Sequence, residues 1–518
     1  MALERNLSHF GLLATALCSM IGSGWLFGAL IAAHLAGPAA IISWIIGGVM
    51  IGIIAMVFAE LSTMLPVAGG MVRYIHFSHG TCSSFCISWL TWLSCVAVAP
   101  TEVSATLHYL ANFYPLLLDT TSNTPVLSTV GLGSAAGLLL IVTYLNLTAA
   151  HRLELLIKNV GVWKVLVPIL TAIVLIIHHF EPANFIQYGF APQGIDGILT
   201  AISSVVIFSF LGFVEAMSLA GETRNPQKAV PIAIFGSVSI SILLYTLLQV
   251  AFTGVLSPTT LSQGWSTLSF VGDFGPFAGI ASTLGLTYLA YTIYADAIIS
   301  PLGTGVAFTS TTARINYAMS QNNYTPKAML KLNAQGAPVN AVLCNFFIGL
   351  LLLLPFPTWE ALIKFQSAAM MLAYGTGPIA LLSLRQQAPD LARPFTLPCH
   401  YGFAFVALYL CNLILLWTGW DSIWRLLVGL ALGVSTLLLY RLYQKKDQTA
   451  LHGYAALWLL LECIGIGCIS YFSTFGGTGI LSLSYSALTT AILSTIVLLV
   501  ATHGQLSSTD TQQLLKTV

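Results

Sequence analysis

Leu12 to Leu35, Ala39 to Val57, Ala341 to Leu354 and Leu488 to Ala501 are long, nearly uninterrupted apolar runs, joined by short polar connections. Runs of this kind set the fold class, because a helix that crosses the hydrocarbon layer of a bilayer needs about 20 apolar residues. Composition agrees: 57% of the 518 residues are hydrophobic and 7% are charged, against about 25% charged in ordinary soluble domains, so a water-covered globule is excluded. Segments of about ten alternating residues, as a transmembrane barrel requires, are not what these runs look like. The chain therefore reads as an all-α polytopic membrane protein.

Breaking the runs at Pro, Gly and charge clusters predicts fourteen spans, near 10–35, 38–63, 84–112, 128–148, 156–178, 197–220, 230–254, 276–309, 338–355, 361–384, 402–419, 422–441, 452–473 and 483–502. The eighth and the last pairs leave the total at 12 to 14. The first run lacks a small-residue cleavage site at its end and reads as a retained span, not a signal peptide. With fourteen spans, Arg5, Arg73, Arg152, Arg224, Lys228, Arg314, Lys327, Lys331, Arg385, Arg393, Arg441, Lys445, Lys446 and Lys516 share one side, while the opposite loops hold Asp119, Glu181 and Asp273. Cytoplasmic loops collect positive charge, so both termini are expected in the cytoplasm. Lys158, Lys164, Lys364 and Arg425 are left within spans or at their ends.

Several function classes are excluded at this point. With 18 Lys and Arg against 17 Asp and Glu the net charge is +1, and no basic block exists to neutralise a run of phosphates, so nucleic acid is not a partner. The nine cysteines lie mostly in apolar segments without a CxxC pair, and no histidine has the spacing of a metal set, so no cofactor or metal is expected. An integral membrane enzyme would need a nucleophile with a base, which His34, His108, His178 and His179 do not supply. A channel would want a filter motif, and none is present.

Two spans carry interruptions in matching places. Gly22-Ser23-Gly24 lies in the middle of the first, and Phe208 to Phe213, containing Gly212, lies at a similar depth in the sixth. Each opens one half of a repeat of five spans, the placement that points to a transporter binding site. An open helix exposes N–H groups on one side and C=O groups on the other, which can hold an anion beside a cation, as in an amino acid. Glycines in membrane helices also serve simply to let neighbouring helices approach closely.

At this point the residues resemble a known family. Ile21-Gly22-Ser23-Gly24-Trp25-Leu26-Phe27-Gly28, Ala36-Gly37-Pro38 through Ser43-Trp44, and Glu60-Leu61 leading to Pro66 and Gly69-Gly70 are followed by Phe208 to Phe213 running into Ala220-Gly221-Glu222-Thr223-Arg224-Asn225-Pro226. Asp296 to Pro301 with Gly303-Thr304-Gly305, and Arg314 through Tyr317-Ala318-Met319-Ser320, complete the set. Over about residues 8 to 400 the chain resembles the amino acid–polyamine–organocation superfamily of permeases, and through Glu102, Trp163-Lys164 with Pro168, and Arg393-Pro394-Phe395 it looks like the proton-coupled aspartate symporter group. The resemblance implies two inverted five-helix repeats, about 8–180 and 195–390 within a core of 1–400, followed by about four additional helices and a tail over 401–518. It further implies substrate at the breaks and a bacterial inner-membrane location.

Ionisable side chains within spans are costly unless paired or wet, so Glu60, Glu102, Glu215, Asp296 and Glu462 are each candidates. Glu102, after Pro100 in the third span, is the first choice for a proton carrier because burial favours the neutral acid; the alternative is a hydrogen-bonded glutamic acid that only ties helices together. Lys164 lies midway along the fifth span, where the resemblance implies a lysine in place of a sodium site, able to bridge the first and eighth spans. Asp296 is a candidate partner for it. Glu60, at a span end, and Glu462, outside the repeats, read as structural, and at Glu215 the interposed Val214 departs from the family pattern.

The expected substrate site is therefore Ser19, Ile21, Gly22, Ser23, Gly24, Phe208, Ser209, Phe210 and Gly212, with Glu102, Lys164 and Asp296 in proton coupling and Trp25 and Phe213 as gates. The substrate carboxylate is expected on the N–H groups of Ser23 and Gly24, and its ammonium on carbonyls near Ser19 and Phe208. The function that follows is secondary active import of an amino acid, acidic if the aspartate-group resemblance holds, by proton symport. Partners are the amino acid, protons and lipid. A cationic amino acid or polyamine carrier, an exchanger, and a sensor that binds without transporting are the alternatives.

Overall fold

The computed structural model describes residues 7–67, 70–121, 125–148, 150–268, 275–443 and 451–516, and of 150–159 and 443 the backbone only. Arg5, Gly69, Asp273, Lys445 and Lys446 lie outside the described residues, as do the side chains of Arg152 and Lys158.

The first span is made of α1 (His9–Met20) and α2 (Gly24–Ala36). Gly37, at φ 60° and with Pro192 pressed where a Cβ would stand, turns the chain into α3 (Ala40–Met64), the second span. Helix α4 (Gly70–Val96) kinks at Gly80, φ 73°, so the third span runs from that kink through α5 (Val98–Leu110). The fourth and fifth spans are α6 (Thr129–Thr148) and α7 (Ala150–His178). The sixth is composite: α8 (Gly194–Ala201), a π turn over Ile202–Val206, α9 (Ile207–Phe210), a 3-10 turn over Leu211–Phe213, and α10 (Val214–Ser218). The seventh is α11 (Pro226–Val255).

Two short helices, α12 (Pro258–Leu261) and α13 (Pro276–Thr283), precede α14 (Thr287–Gln321), the eighth span. The sequence had placed this span at 276–309. Gly285 at φ 74° stops α13 and separates it from the membrane helix, which shifts the span by eleven residues. The ninth and tenth spans are α15 (Val339–Leu352) and α16 (Trp359–Tyr374) with α17 (Thr376–Gln387). Then follow α18 (His400–Trp417), α19 (Trp420–Tyr443), α20 (Leu457–Phe472) and α21 (Leu483–His503), and a short terminal α22 (Ser508–Leu515).

Eleven helical stretches among the described residues are long and apolar enough to cross a membrane, with α1 and α15 apolar but shorter. One stretch joins α2 to α3, and α14 is long but carries Asp296 and Arg314, so the helices follow the fourteen-span order. Matching spans of the two halves pack on one another: α3 along α11, α5 along α14, α6 along α15, and α1 against the Leu211–Phe213 turn. This is the layout of two inverted five-helix repeats. Helix α18 packs on α3, α16 and α17; α21 packs on α18 and α17, and α20 on α21 and α19. Leu166, Ile177, Leu243, Leu439 and Leu499 are exposed and face outward from the bundle, as lipid-facing residues do, whereas the tenth span is buried.

Glu60 is fully buried and holds a bidentate pair with Arg385, at 2.8 and 2.7 Å, while also accepting the Leu397 N–H at 2.8 Å. It ties the end of the second span to the end of the tenth, the structural role its position suggested. Glu462 is buried among the last helices beside Asn412, away from the interrupted spans.

Candidate substrate and proton site

Helix α1 stops at Met20 because Ile21 is extended (φ −97°, ψ 93°), and α2 begins three residues later. The freed Ser23 N–H donates to Glu102 Oε2 at 2.8 Å. A Cβ on Gly22 would stand 2.6 Å from Glu102 Oε1 and 3.0 Å from Thr304 Oγ1, so this glycine is what lets the third and eighth spans close on the break. Trp359 Nε1 donates to Ser23 Oγ at 3.0 Å. On the other side of the break, Tyr245 donates from its hydroxyl to Met20 O at 2.8 Å.

Lys164 is fully buried and donates to Cys18 O at 2.8 Å and to Thr304 Oγ1. It bridges the first and eighth spans as its position in the sequence implied. The Thr304 hydroxyl, which accepts from Lys164 and donates to Ser300 O at 3.2 Å, thus lies between the lysine and Gly22. The Lys164–Asp296 pair expected from sequence is not formed. Asp296 accepts from Ser300 Oγ at 2.6 Å and from Trp25 Nε1 at 2.9 Å. Asp296 precedes Thr304 by eight residues, which along a helix is about 12 Å, too far for a lysine already seated at Thr304.

The sixth span differs from its expected open break. Its backbone stays wound, passing through π, α and 3-10 turns in succession. Gly212 is pressed against α1: a Cβ there would lie 2.5 Å from Ser19 C and from Met20 N. Gly24 meets Ser209 in the same way, 2.6 Å from its hydroxyl to a Cβ. Phe208 sits edge-on to Trp359, 5.7 Å between centroids. Phe210 packs on Trp44 and Tyr245, and Phe213 on Tyr374, so both point into the core. Trp25 lies against Phe277.

Between the two interrupted spans is a cavity of about 20 Å³, lined among others by Ser19, Gly22, Glu102, Phe208, Gly212 and Thr304. It has room for a water molecule and not for an amino acid. Ser94 and Val98 of the third span and Gln366 and Met370 of the tenth complete its wall. The sequence reading missed Thr304, Tyr245, Trp359 and Gln366. Gln366 had a usable signal, a polar residue within an apolar span; Trp359 had none, since a tryptophan at a helix start is ordinary. Among the described residues no group of His, Cys, Asp and Glu could hold a metal.

An amino acid permease family model matches residues 7–437. The chain belongs to the amino acid permease family. Two relatives from Bacillus subtilis (strain 168) match nearly end to end. The glutamate/serine transporter AimA is 35% identical over 502 residues, covering 95% of this permease and 93% of the relative. The aspartate-proton symporter is 35% identical over 485 residues, 92% of each. The crystal structure of a manganese transporter from Eremococcus coleocola superimposes with a TM-score of 0.56 at 13% identity, covering 88% of the permease and 96% of that chain, and so shares its fold.

Proposed function

We propose that this permease imports an acidic amino acid, aspartate or glutamate, by proton symport through alternating access. Support comes from the two relatives of 35% identity, whose names give aspartate with a proton and glutamate with serine. The observation that carries the mechanism is the bond from Ser23 N–H to Glu102 Oε2. A backbone N–H freed at a broken helix is where a substrate carboxylate is received, and here Glu102 holds it. Substrate and ionised Glu102 therefore compete for one donor; a proton on Glu102 weakens its hold and removes a like charge from beside the incoming acid. Lys164 keeps the end of α1 fixed to the eighth span while this exchange occurs.

The substrate is bound by Ser19, Ile21, Gly22, Ser23 and Gly24 on the first span and by Phe208, Ser209 and Gly212 on the sixth, with Phe210 backing the latter. Trp25, tethered by Asp296, and Phe213 move as gates when the bundle opens. The transport core is 1–400, in repeats of about 8–180 and 195–390, and 401–518 forms an outer brace. Both termini face the cytoplasm of a bacterial cell, a reading supported by the distribution of Lys and Arg.

The test is uptake of labelled aspartate into proteoliposomes with and without an inward proton gradient, against unlabelled competitors. Gradient-dependent accumulation is expected, and is expected to vanish in Glu102→Gln while binding persists. Accumulation of arginine or a polyamine, or uptake only with internal substrate, would replace this reading with a cationic carrier or an exchanger.

A further inference from the structure

The wall of the cavity opposite the first-span break contains one polar side chain with an unmet group. Gln366 is fully buried in α16, and its Nε2 donates to Thr101 Oγ1 at 2.5 Å, with Ala97 O at 3.4 Å and Leu362 O at 3.3 Å alongside. Its Oε1 has no hydrogen-bond partner. This orientation of the amide is the favoured one: turned over, Oε1 would lie beside the carbonyl oxygens of Ala97 and Leu362, and the one donor at hand, the Thr101 hydroxyl, already serves Ala97 O at 2.8 Å. Ser94 Oγ is committed to Gln366 O at 3.1 Å. Gln366 lines the cavity, so its open carbonyl oxygen is met there by a water while the site is empty and by a donor of the ligand when it is filled.

We propose that Gln366 reads the substrate side chain as a fixed hydrogen-bond acceptor, selecting amino acids whose side chain carries a donor at short reach: a hydroxyl, or a carboxyl group in its protonated form. The inference rests on the substrate lying between the breaks with its carboxylate at Ser23. With that end fixed, a side chain turned toward the wall formed by the third and tenth spans reaches Gln366. A serine-sized hydroxyl meets Oε1 directly. An aspartate presenting a bare carboxylate sets oxygen against oxygen, so it enters carrying its own proton in addition to the one on Glu102. A site built to bond a hydroxyl rejects the analogue that lacks it far more strongly than an apolar pocket rejects an extra group.

The experiment measures inhibition constants of serine, alanine and aspartate against labelled aspartate uptake in proteoliposomes, from pH 5 to 8. Wild type is expected to prefer serine over alanine by about tenfold or more, and its aspartate affinity to fall with pH more steeply than its serine affinity by one proton. Gln366→Met, which fills the space without the acceptor, should bring the serine-to-alanine ratio near one. Thr101→Ala keeps Gln366 but releases its anchored arm, and should reduce the ratio at least threefold even if the first variant fails to fold. A wild type without serine preference, equal pH slopes for serine and aspartate, or a ratio unchanged in a folded variant would each overturn the assignment. Failure of the transport reading is distinct: wild type would then show no gradient-driven uptake of labelled aspartate at all.

Discussion

The two interrupted spans occupy equivalent places in the two repeats, yet they are built differently. The first is open, with three residues outside any helix and its Ser23 N–H given to a side chain of another span. The sixth never opens; it changes winding and presses Gly212 onto the backbone of α1. The glycines mirror this. Around Gly22 the nearest atoms are the ends of side chains, Glu102 and Thr304, which can move, whereas around Gly212 they are backbone atoms of Ser19 and Met20, which cannot. One span provides the chemistry and the other the contact against which it closes.

The largest effect that would break this division is expected from Glu102→Gln. The neutral amide should reduce gradient-driven accumulation to equilibration while leaving substrate binding measurable, and wild-type accumulation would remove Glu102 from coupling. Lys164→Ala comes next. It leaves Cys18 O and the Thr304 hydroxyl without their buried cation, a cost of order 1–3 kcal/mol, so uptake should fall severely and its pH dependence should change. An unaltered pH profile would show Lys164 to be only a clamp.

The glycines sharpen the comparison directly. Gly212→Ala forces backbone apart and should lower thermal stability, by about 1–3 kcal/mol, as read by a melting curve in detergent. Gly22→Ala should cost less stability than Gly212→Ala, because side chains and not backbone must move, while displacing Glu102 and so flattening the pH dependence of binding; equal melting losses for both would contradict the division. The smallest effect belongs to Trp359→Phe, which removes the bond to Ser23 Oγ and should weaken substrate affinity by about 1 kcal/mol, some fivefold.

Much of this was legible in the sequence. Apolar runs set the helices, and Gly22-Ser23-Gly24 located the open break, because glycine and an intramembrane carboxylate are both costly unless used. Lys164 was readable for the same reason, and its bridge between the first and eighth spans is present. Its partner was not readable: the choice of Thr304 over Asp296 depends on two turns of helical register, which spacing alone leaves open once the helix start is misplaced by eleven residues. The winding of the sixth span was equally hidden, since Gly212 is consistent with either an open break or a close approach. Gln366 and Trp359 entered the site from a span with no motif of its own, brought there by packing.

The central claim is that Glu102 and the substrate carboxylate exclude one another at Ser23. It is tested most directly by the dissociation constant of aspartate for wild type and Glu102→Gln, titrated in detergent from pH 5 to 8. A protonated Glu102 releases Ser23, so wild-type affinity should be highest at acid pH and fall as pH rises through the titration of Glu102, with a slope one proton steeper than that of the variant. Parallel slopes would contradict the account, because proton binding would then lie elsewhere than at the residue that holds the break.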